Sequence, residues 1–368
     1  MIKITFPYVG DTIGGSHFSS LNIYKILKES RIYDSDIILH KDDDKLSKYL
    51  TDNKIPFKIF KINKFVGEDT KVFKNIFFIL INTLKIFKYI KKNNIDIVHG
   101  NDLRINLSWI VATFLSRKIF IWHQRVAISN SLFWFFFMLF PKKIIVPSNF
   151  IYNQIPKIFK RKTKILKNII FDRNQLNLID LNINESIYNY NFGYVGKISK
   201  NKNIIKLLHL FNLLSKKIKK KITLNIAGNL DENFSNEFYE FINKNNIKNI
   251  IIFKFSDNIS FITKNDFIIS PGLNESFGRT LLESMYLGKI CIASNSGAHK
   301  ELITNSKNGF LVNFDNPKNF IELFEKFLNN KDLLIKMKIS SSNYAKDNFN
   351  LNVISSDYIK FYNKLSLK

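Results

Sequence analysis

The sequence predicts an α/β chain built as two successive series of strand and helix units. Short β-branched runs alternate with longer stretches of helical period, the pattern of parallel sheets with crossover helices, and this alternation starts afresh near Asn191. The 368 residues are enough for two domains with their own cores. Hydrophobic residues at 45% and charged residues at 23% exclude a mainly disordered or fibrous chain.

In the first series strands are expected at 2–6, 36–39, 57–60, 96–99, 119–123, 143–146 and 164–166, with helices between most of them. The second series reads FGYVG at 192–196, ITLNIAG at 222–228, IIIF at 250–253, DFIIS at 266–270, KICIAS at 289–294 and GFLV at 309–312. Residues 170–188 between the series lose periodicity and turn polar, as an interdomain connection does. After Asp315 the pattern is helical to the end. The expected organisation is a first domain at 1–175, a second at 188–345, and a C-terminal helix at 346–368 able to pack back on the first.

Lys and Arg number 56 against 30 Asp and Glu, a net charge of +26 that favours polyanionic partners, although an AT-rich coding genome would supply part of it as drift. The single Cys291 excludes an intrachain disulfide and a thiolate metal cluster, and suits a reducing compartment. The opening MIKITFPYVG reads as a strand, not a secretory signal, so a cytoplasmic location is expected. The apolar run LFWFFFMLF at 132–140 falls well short of the roughly 20 residues that span a bilayer. At 71–92 a helical pattern sets Lys71, Lys74, Lys85, Lys88 and Lys92 on one stripe beside a broad apolar face. That segment is either a crossover helix buried on the first sheet or a peripheral contact with the anionic inner face of the cytoplasmic membrane.

The richest segment is DFIISPGLNESFGRTLLESMYLGKICIASNSGAHKE at 266–301. Pro271 and Gly272 bend the chain after a buried strand, a helix is expected from near Ser276, and Gly288 closes it. Phe277, Gly278 and Arg279 then sit where helix-start amides favour an anion. Glu275 and Glu283 are eight residues apart, about 12 Å along a helix axis, too far to chelate one small ion. They suit hydroxyls at opposite ends of an extended ligand such as a sugar nucleotide, or are simply a dipole-favouring carboxylate and an exposed helix residue. GYVGKISKNKN at 193–203 offers Lys197, Lys200 and Lys202 to a diphosphate, or forms a solvated loop. KKIKKK at 216–221 reads as solvated charge at a helix end.

Gly14 and Gly15 precede a helix expected around Ser16 and His17, a phosphate approach or an ordinary turn. His99 and His123 close two strands at the ligand-facing edge; His123 either orients a bound sugar or is a satisfied core histidine. The D-x-D string of Asp34, Ser35 and Asp36 lies at a strand start and reads as incidental, since lysines already supply counter-charge. No catalytic metal and no cofactor are expected.

These residues resemble the retaining glycosyltransferases of group 1, whose two Rossmann-like domains face each other across a cleft in the GT-B fold. SPGLNESFGRTLLESMYLGK resembles the E-x7-E signature, Gly14 and Gly15 the amino-terminal glycine loop, DIVHGND the "D-x-x-H" strand end and IWHQR the "T-x-H-D" segment. IIVPSNF, KILKNII, GKISKNKN, TLNIAGNL and SGAHKE follow in the family's order. The resemblance implies that Lys197 and Lys202 bind the donor diphosphate with Gly15 and the Phe277, Gly278 and Arg279 amides beside it. By the same resemblance Glu283 holds the ribose, Glu275 contacts the donor sugar, and His123 lies near the reacting centre. Gly272 stands in place of the family's Ser, Asn203 and Ala298 in place of Gly, Lys197 in place of Arg and Gln124 in place of Asp.

The implied reaction is hexosyl transfer, with retained configuration, from a nucleotide-sugar donor to a glycan or lipid-linked acceptor in surface polysaccharide or lipopolysaccharide biosynthesis. Two rivals are a sugar-nucleotide 2-epimerase of the same fold and a non-catalytic basic protein binding membrane or nucleic acid. The sequence holds no recognised nucleic-acid motif, and no nucleic-acid partner is expected.

Overall fold

The computed structural model describes residues 1–42, 44–62, 65, 72–127, 132–171, 175–176, 190–218, 221–253 and 258–366. Two compact units result, one of Met1–Ile169 with Leu351–Lys368 and the other of Ile170–Asn350.

The first unit runs β1 (Ile2–Tyr8), α1 (Gly15–Glu29), β2 (Tyr33–Leu39), α2 (Lys45–Asp52), β3 (Lys58–Ile59), α3 (Val72–Lys92) and β4 (Ile97–Gly100). It continues through α4 (Leu103–Leu115), β5 (Ile119–His123), α5 (Leu132–Phe137), β6 (Lys143–Val146), α6 (Asn149–Gln154) and β7 (Thr163–Ile165). The strands form one parallel sheet in the order β3-β2-β1-β4-β5-β6-β7. Helices cover both faces of such a sheet, which is why the strands read as apolar runs and Ile4, Phe6, Ile37, Val98, Ile121 and Ile145 lose nearly all contact with water. Asp102 caps α4 by accepting from the Ile105 amide at 3.0 Å, and Asp44 with Ser47 forms a capping box on α2. In the core the Trp109 indole donates to His40 Nε2 at 2.9 Å, so His40 carries its own proton on Nδ1, against the Phe60 carbonyl at 2.6 Å.

β2 begins at Tyr33, earlier than expected, because pairing with β1 already starts at Ile2↔Tyr33. The D-x-D string therefore lies inside a paired strand, where Asp36 accepts from Lys58 at 2.9 Å and from Thr5 at 2.5 Å. α1 begins at Gly15, slightly ahead of the expected start. α3 buries Ile79, Ile86 and Ile90 in the core, as a crossover helix should. That accounts for one face only: Phe77, Leu80 and Leu84 on another are 58%, 62% and 68% exposed. Lys71 and the side chain of Lys74 lie outside the described residues.

The second unit runs β8 (Asn191–Val195), α7 (Ile204–Lys217), β9 (Thr223–Ala227), α8 (Glu232–Lys244), β10 (Ile250–Phe253), α9 (Asn258–Thr263) and β11 (Phe267–Ser270). Then come α10 (Arg279–Tyr286), β12 (Ile290–Ser294), α11 (His299–Leu302), β13 (Phe310–Val312), α12 (Lys318–Leu328) and α13 (Lys331–Asn348). Its parallel sheet has the order β10-β9-β8-β11-β12-β13. Much of the chain's phenylalanine packs here: Phe192 stacks on Phe267 at 4.8 Å, and Phe310 meets Phe324 edge-on at 5.6 Å and 86°. The expected boundary between residues 345 and 346 falls inside α13, and the final helix is α14 (Leu351–Ser366). α14 belongs to the first unit, where Asn363 accepts from the Tyr33 hydroxyl.

Both sheets thus have the Rossmann-like strand order, and together they are the two parallel-sheet domains of the GT-B fold. In each the strand order reverses at one place, between β1 and β4 and between β8 and β11. Loops leaving the carboxyl ends of strands at such a reversal diverge and leave a crevice for a ligand.

Candidate functional site

In the second unit the loops after β8, β9, β11 and β12 converge at that reversal. After β8 the chain turns at Gly196, with φ at 151°, where a side chain would be strained. The Gly196 amide donates to the Ala227 carbonyl at 3.0 Å. A Cβ on Gly228 would lie 1.8 Å from the Gly196 carbonyl oxygen, so the loops after β8 and β9 close together only with glycine at 228. A 3-10 turn at Lys200–Lys202 leads to Asn203 in the left-handed region at φ 62°. Asparagine enters that region at lower cost than most residues, which explains how it replaces the glycine of the resembled motif. Its amide donates to the Pro271 carbonyl at 3.1 Å and ties the lysine loop to the loop after β11.

That tie brings the Lys202 ammonium to 2.5 Å from Glu275 Oε1. A Cβ on Gly272 would come within 2.7 Å of the same oxygen, so the departure from Ser leaves room for the carboxylate. Gly297, at φ 59°, lets the loop after β12 pass against the Glu275 backbone, and the Ala298 amide donates to the Glu275 carbonyl at 2.8 Å. Beneath them His299 is fully buried between the Ser294 hydroxyl at 3.0 Å and the Ser270 hydroxyl at 3.2 Å. Burial lowers the His299 pKa, partly opposed by the Glu275 charge.

α10 begins at Arg279, not near Ser276, with Gly278 as its left-handed N-cap at φ 75°. Glu275 therefore lies on irregular chain before the helix, and the 12 Å axial separation from Glu283 does not apply. The left-handed Gly278 backbone and the close approach of Gly297 to the Glu275 backbone hold off helix formation that the residue pattern alone would have extended backward. No side chain caps α10, so its first amides lack intrahelical partners at the positive end of the dipole. Phe277 is buried and meets Phe349 edge-on at 5.8 Å, which anchors the loop.

Glu283 is not an exposed helix residue: it is 2% exposed. Its Oε1 accepts from Arg279 Nε at 2.7 Å, one turn back, and its Oε2 from Asn258 Nδ2 at 3.0 Å. Arg279 Nη2 donates to the Ile170 carbonyl at 2.6 Å. Lys197 is drawn to Asp231, 2.6 Å away, and holds that carboxyl below its usual pKa; Lys200 pairs with Glu237 at 3.3 Å. The structure thus joins Lys202 to Glu275 and Arg279 to Glu283, while Lys197 has a different partner. Sequence reasoning gave no role to Asp231, Asn258, Ser270, Ser294 or His299. Asp231 had a legible signal, an N-cap residue opening α8 whose side chain accepts from the Asn233 amide.

In the first unit Gly15 is the first residue of α1. Gly14 before it is extended, and nothing lies within 4 Å of a Cβ built there, so the protein itself does not demand glycine at that place. A cavity of about 280 Å³ opens beside it, lined among others by His17, Asn101, Asp102, Arg104, His123 and Arg125. Arg104 forks onto Asp11 at 2.5 and 2.8 Å. Buried Arg125 is held by the side-chain oxygens of Asn101 at 2.5 Å and Asn168 at 2.7 Å. Burial, reinforced by the Arg125 charge, pushes His17 down to about 4. His123 is 1% exposed, with Nδ1 3.1 Å from His99 Nε2 and Nε2 lacking a protein partner among the described residues. His17 and Arg125 were given no role on sequence, because separate loops collect them: Asn101 reaches back 85 positions to the Ser16 carbonyl, and Arg125 meets Asn101 and Asn168 across 24 and 43 positions. Among the described residues no group of three or more His, Cys, Asp or Glu is placed to hold a metal ion, and no helix is long and apolar enough to cross a membrane.

Known proteins resemble this chain in sequence or in fold. The chain is 26% identical over 365 residues to an uncharacterized glycosyltransferase of Methanocaldococcus jannaschii, covering 94% of this chain and 92% of that protein. It is 28% identical over 178 residues to the capsular polysaccharide biosynthesis glycosyltransferase CapM of Staphylococcus aureus, 48% of this chain and 46% of that one. Anabaena HepE, solved in complex with UDP and glucose, has the same fold, with a TM-score of 0.77 at 16% identity over 99% of this chain and 100% of that one. Residues 188–346, which include Lys197, Lys202, Glu275, Arg279 and Glu283, match the family model described as glycosyl transferases group 1.

Proposed function

We propose that the chain is a retaining glycosyltransferase of the hexosyl type, moving a sugar from a nucleotide-sugar donor to a glycan or lipid-linked acceptor in surface polysaccharide assembly. The observation that carries this reading is the Lys202–Glu275 ion pair beside the uncapped start of α10. Without donor, each charge neutralises the other. A diphosphate, drawn by the helix amides and Lys202, takes over as the ammonium's counter-ion, and the Glu275 carboxylate turns to the hydroxyls of the sugar. Lys197, shared with Asp231, adds positive charge to the leaving phosphate. Glu283 keeps spare lone pairs on both oxygens for the two ribose hydroxyls, while Arg279 and Asn258 fix its orientation.

Catalysis in this scheme is positioning and charge stabilisation. The departing phosphate takes the acceptor proton on the face it leaves, so the configuration is retained and neither a protein nucleophile nor a metal is needed. His123 and the Gly15 loop in the first unit serve the sugar and the phosphates. The relatives in capsule synthesis favour a surface-glycan acceptor.

An acceptor carried on lipid calls for membrane contact, and α3 supplies a surface for it. Ile76, Phe77, Leu80, Ile81 and Leu84 are exposed on it, with Lys85, Lys88, Lys91 and Lys92 exposed toward its C-terminal end. Apolar side chains flanked by ammonium groups suit an anionic bilayer surface.

Thermal-shift screening of nucleotide sugars tests the donor site, since a ligand that binds only the native state raises its melting temperature. Lys202→Ala should weaken a nucleoside diphosphate roughly 10- to 100-fold, the size of one charge-assisted hydrogen bond. No stabilisation by any nucleoside diphosphate, or unchanged affinity in Lys202→Ala, would remove the proposal. A donor isomerised without acceptor would favour the epimerase.

A further inference from the structure

A hydrogen-bonded chain in the first unit runs from the C-terminal helix into the cavity described above. His99, near the end of β4, and His123, closing β5, lie side by side with His99 Nε2 3.1 Å from His123 Nδ1 and ring centroids 5.3 Å apart. On its other side His99 Nδ1 meets the hydroxyl of Tyr362, which α14 supplies from 263 residues further along the chain. Phe6 stacks on the His99 ring at 5.0 Å and 24°. Tyr362, His99 and His123 are each 1% exposed or less, so water does not compete for these bonds. The last nitrogen of the series, His123 Nε2, is buried without a protein partner among the described residues, and His123 lines the cavity.

A neutral imidazole has one N–H and one lone pair, so the proton position at one end of such a series dictates the other. His40 illustrates the rule nearby, where the Trp109 indole can only donate and thereby fixes that ring's tautomer. Burial, then the Arg125 charge, keeps both His99 and His123 neutral. Burial also raises the Tyr362 pKa far above its ordinary value, so the phenol retains its hydrogen. A phenol is a strong donor and an unprotonated ring nitrogen a strong acceptor. With Tyr362 donating to His99 Nδ1, the His99 proton sits on Nε2 and is given to His123 Nδ1, and the His123 proton must then sit on Nε2.

We infer that Tyr362 and His99 are positioning residues that lock His123 in its Nε2–H tautomer, so the cavity presents a neutral N–H donor to an oxygen of its ligand. The complementary group is a hydroxyl or ether oxygen of a sugar. The tautomer stands on the hydrogen-bond geometry and the burial of the three groups; its use on a sugar rests on the function proposed above. The closing series of bonds gives the C-terminal helix a part in the chemistry of a site that no residue of that helix lines.

The test is two-bond proton–nitrogen correlation NMR on the full chain with nitrogen-15 histidine, at neutral pH. The expected wild-type result is the Nε2–H pattern for both His99 and His123. In Tyr362→Phe, which keeps the ring and loses the hydroxyl, His123 should show mixed or Nδ1–H tautomers. An Nδ1–H tautomer of His123 in the wild type overturns the inference before any variant is made, as does a His123 pattern unchanged in a folded Tyr362→Phe. In the transfer assay Tyr362→Phe should lower kcat/KM by roughly tenfold, the scale of one hydrogen bond, with nucleoside diphosphate affinity unchanged. A locked tautomer in the wild type with full activity in Tyr362→Phe overturns the role on the sugar, while absent nucleotide binding in both proteins marks failure of the proposed function instead.

Discussion

Lowering the pH from about 7.5 to about 5 should weaken the first unit through its buried histidines. His17 and His40 are held neutral in the fold with pKa values of about 4, against 6.5 for the free side chain, and burial is the main cause in both. The unfolded chain therefore binds protons below pH 6.5 that the folded chain refuses, and stability falls as pH drops from there toward 4. At pH 5 each group contributes roughly 2 kcal/mol of lost stability, about 4 kcal/mol for the two. His99 and His123 act in the same direction. Asp102, whose carboxyl burial pushes up, opposes them. All 3 tryptophans of the chain, Trp109, Trp122 and Trp134, belong to the first unit, so indole fluorescence during urea unfolding reads that unit alone. With a slope of about 2–3 kcal/mol per molar urea, the midpoint should fall by roughly 1.5 M. His17→Asn should remove about half of that fall. A midpoint that moves by less than about 0.5 M would show that these imidazoles are wet enough to titrate normally.

Other outcomes follow from the second unit and from α3. Gly228→Ala should cost roughly 1–3 kcal/mol or more, because its Cβ meets backbone rather than a side chain that can yield; calorimetry would measure it, and a neutral effect would mean that the Gly196 turn is loose. Asn203→Ala should destabilise by about 1–2 kcal/mol while Asn203→Gly stays near neutral, since glycine relieves the left-handed backbone as it loses the bond to Pro271. Glu283→Gln should cost on the order of 3 kcal/mol by leaving the Arg279 guanidinium without its carboxylate, and should raise the donor KM. The chain should float with anionic liposomes at low salt and be released at high salt, and Leu80→Glu with Leu84→Glu should abolish flotation; equal binding to neutral vesicles would contradict a lysine contribution.

The α/β class and the sheet strands were legible because a parallel sheet covered on both faces needs continuous apolar runs, and those stand out in a Lys- and Asn-rich chain. Element starts were less so. The start of α10 was misplaced because Ser276 and Phe277 suit a helix locally, while the Gly278 backbone and the Gly297 contact with Glu275 keep them out of one. Glu275 and Lys202 could be singled out as charged residues beside turns. That they meet depends on Asn203 reaching Pro271 across 68 positions, which no local pattern records. Glu283 was open to reading as exposed because its environment comes from Asn258 and Arg279, the first of them on another helix. Tyr362 was invisible for the same reason, on a larger scale.

The route of the chain also bears on how the protein is made. Its first unit opens at Met1, is interrupted after Ile169, and is completed only by Leu351–Lys368. During synthesis from the amino end, about half the chain leaves the ribosome after the first sheet and before the helix that seats Tyr362 on His99. The second unit can therefore mature as an uninterrupted stretch, while the earlier-born portion waits, short of the helix at Leu351–Ser366, until that helix too has been made.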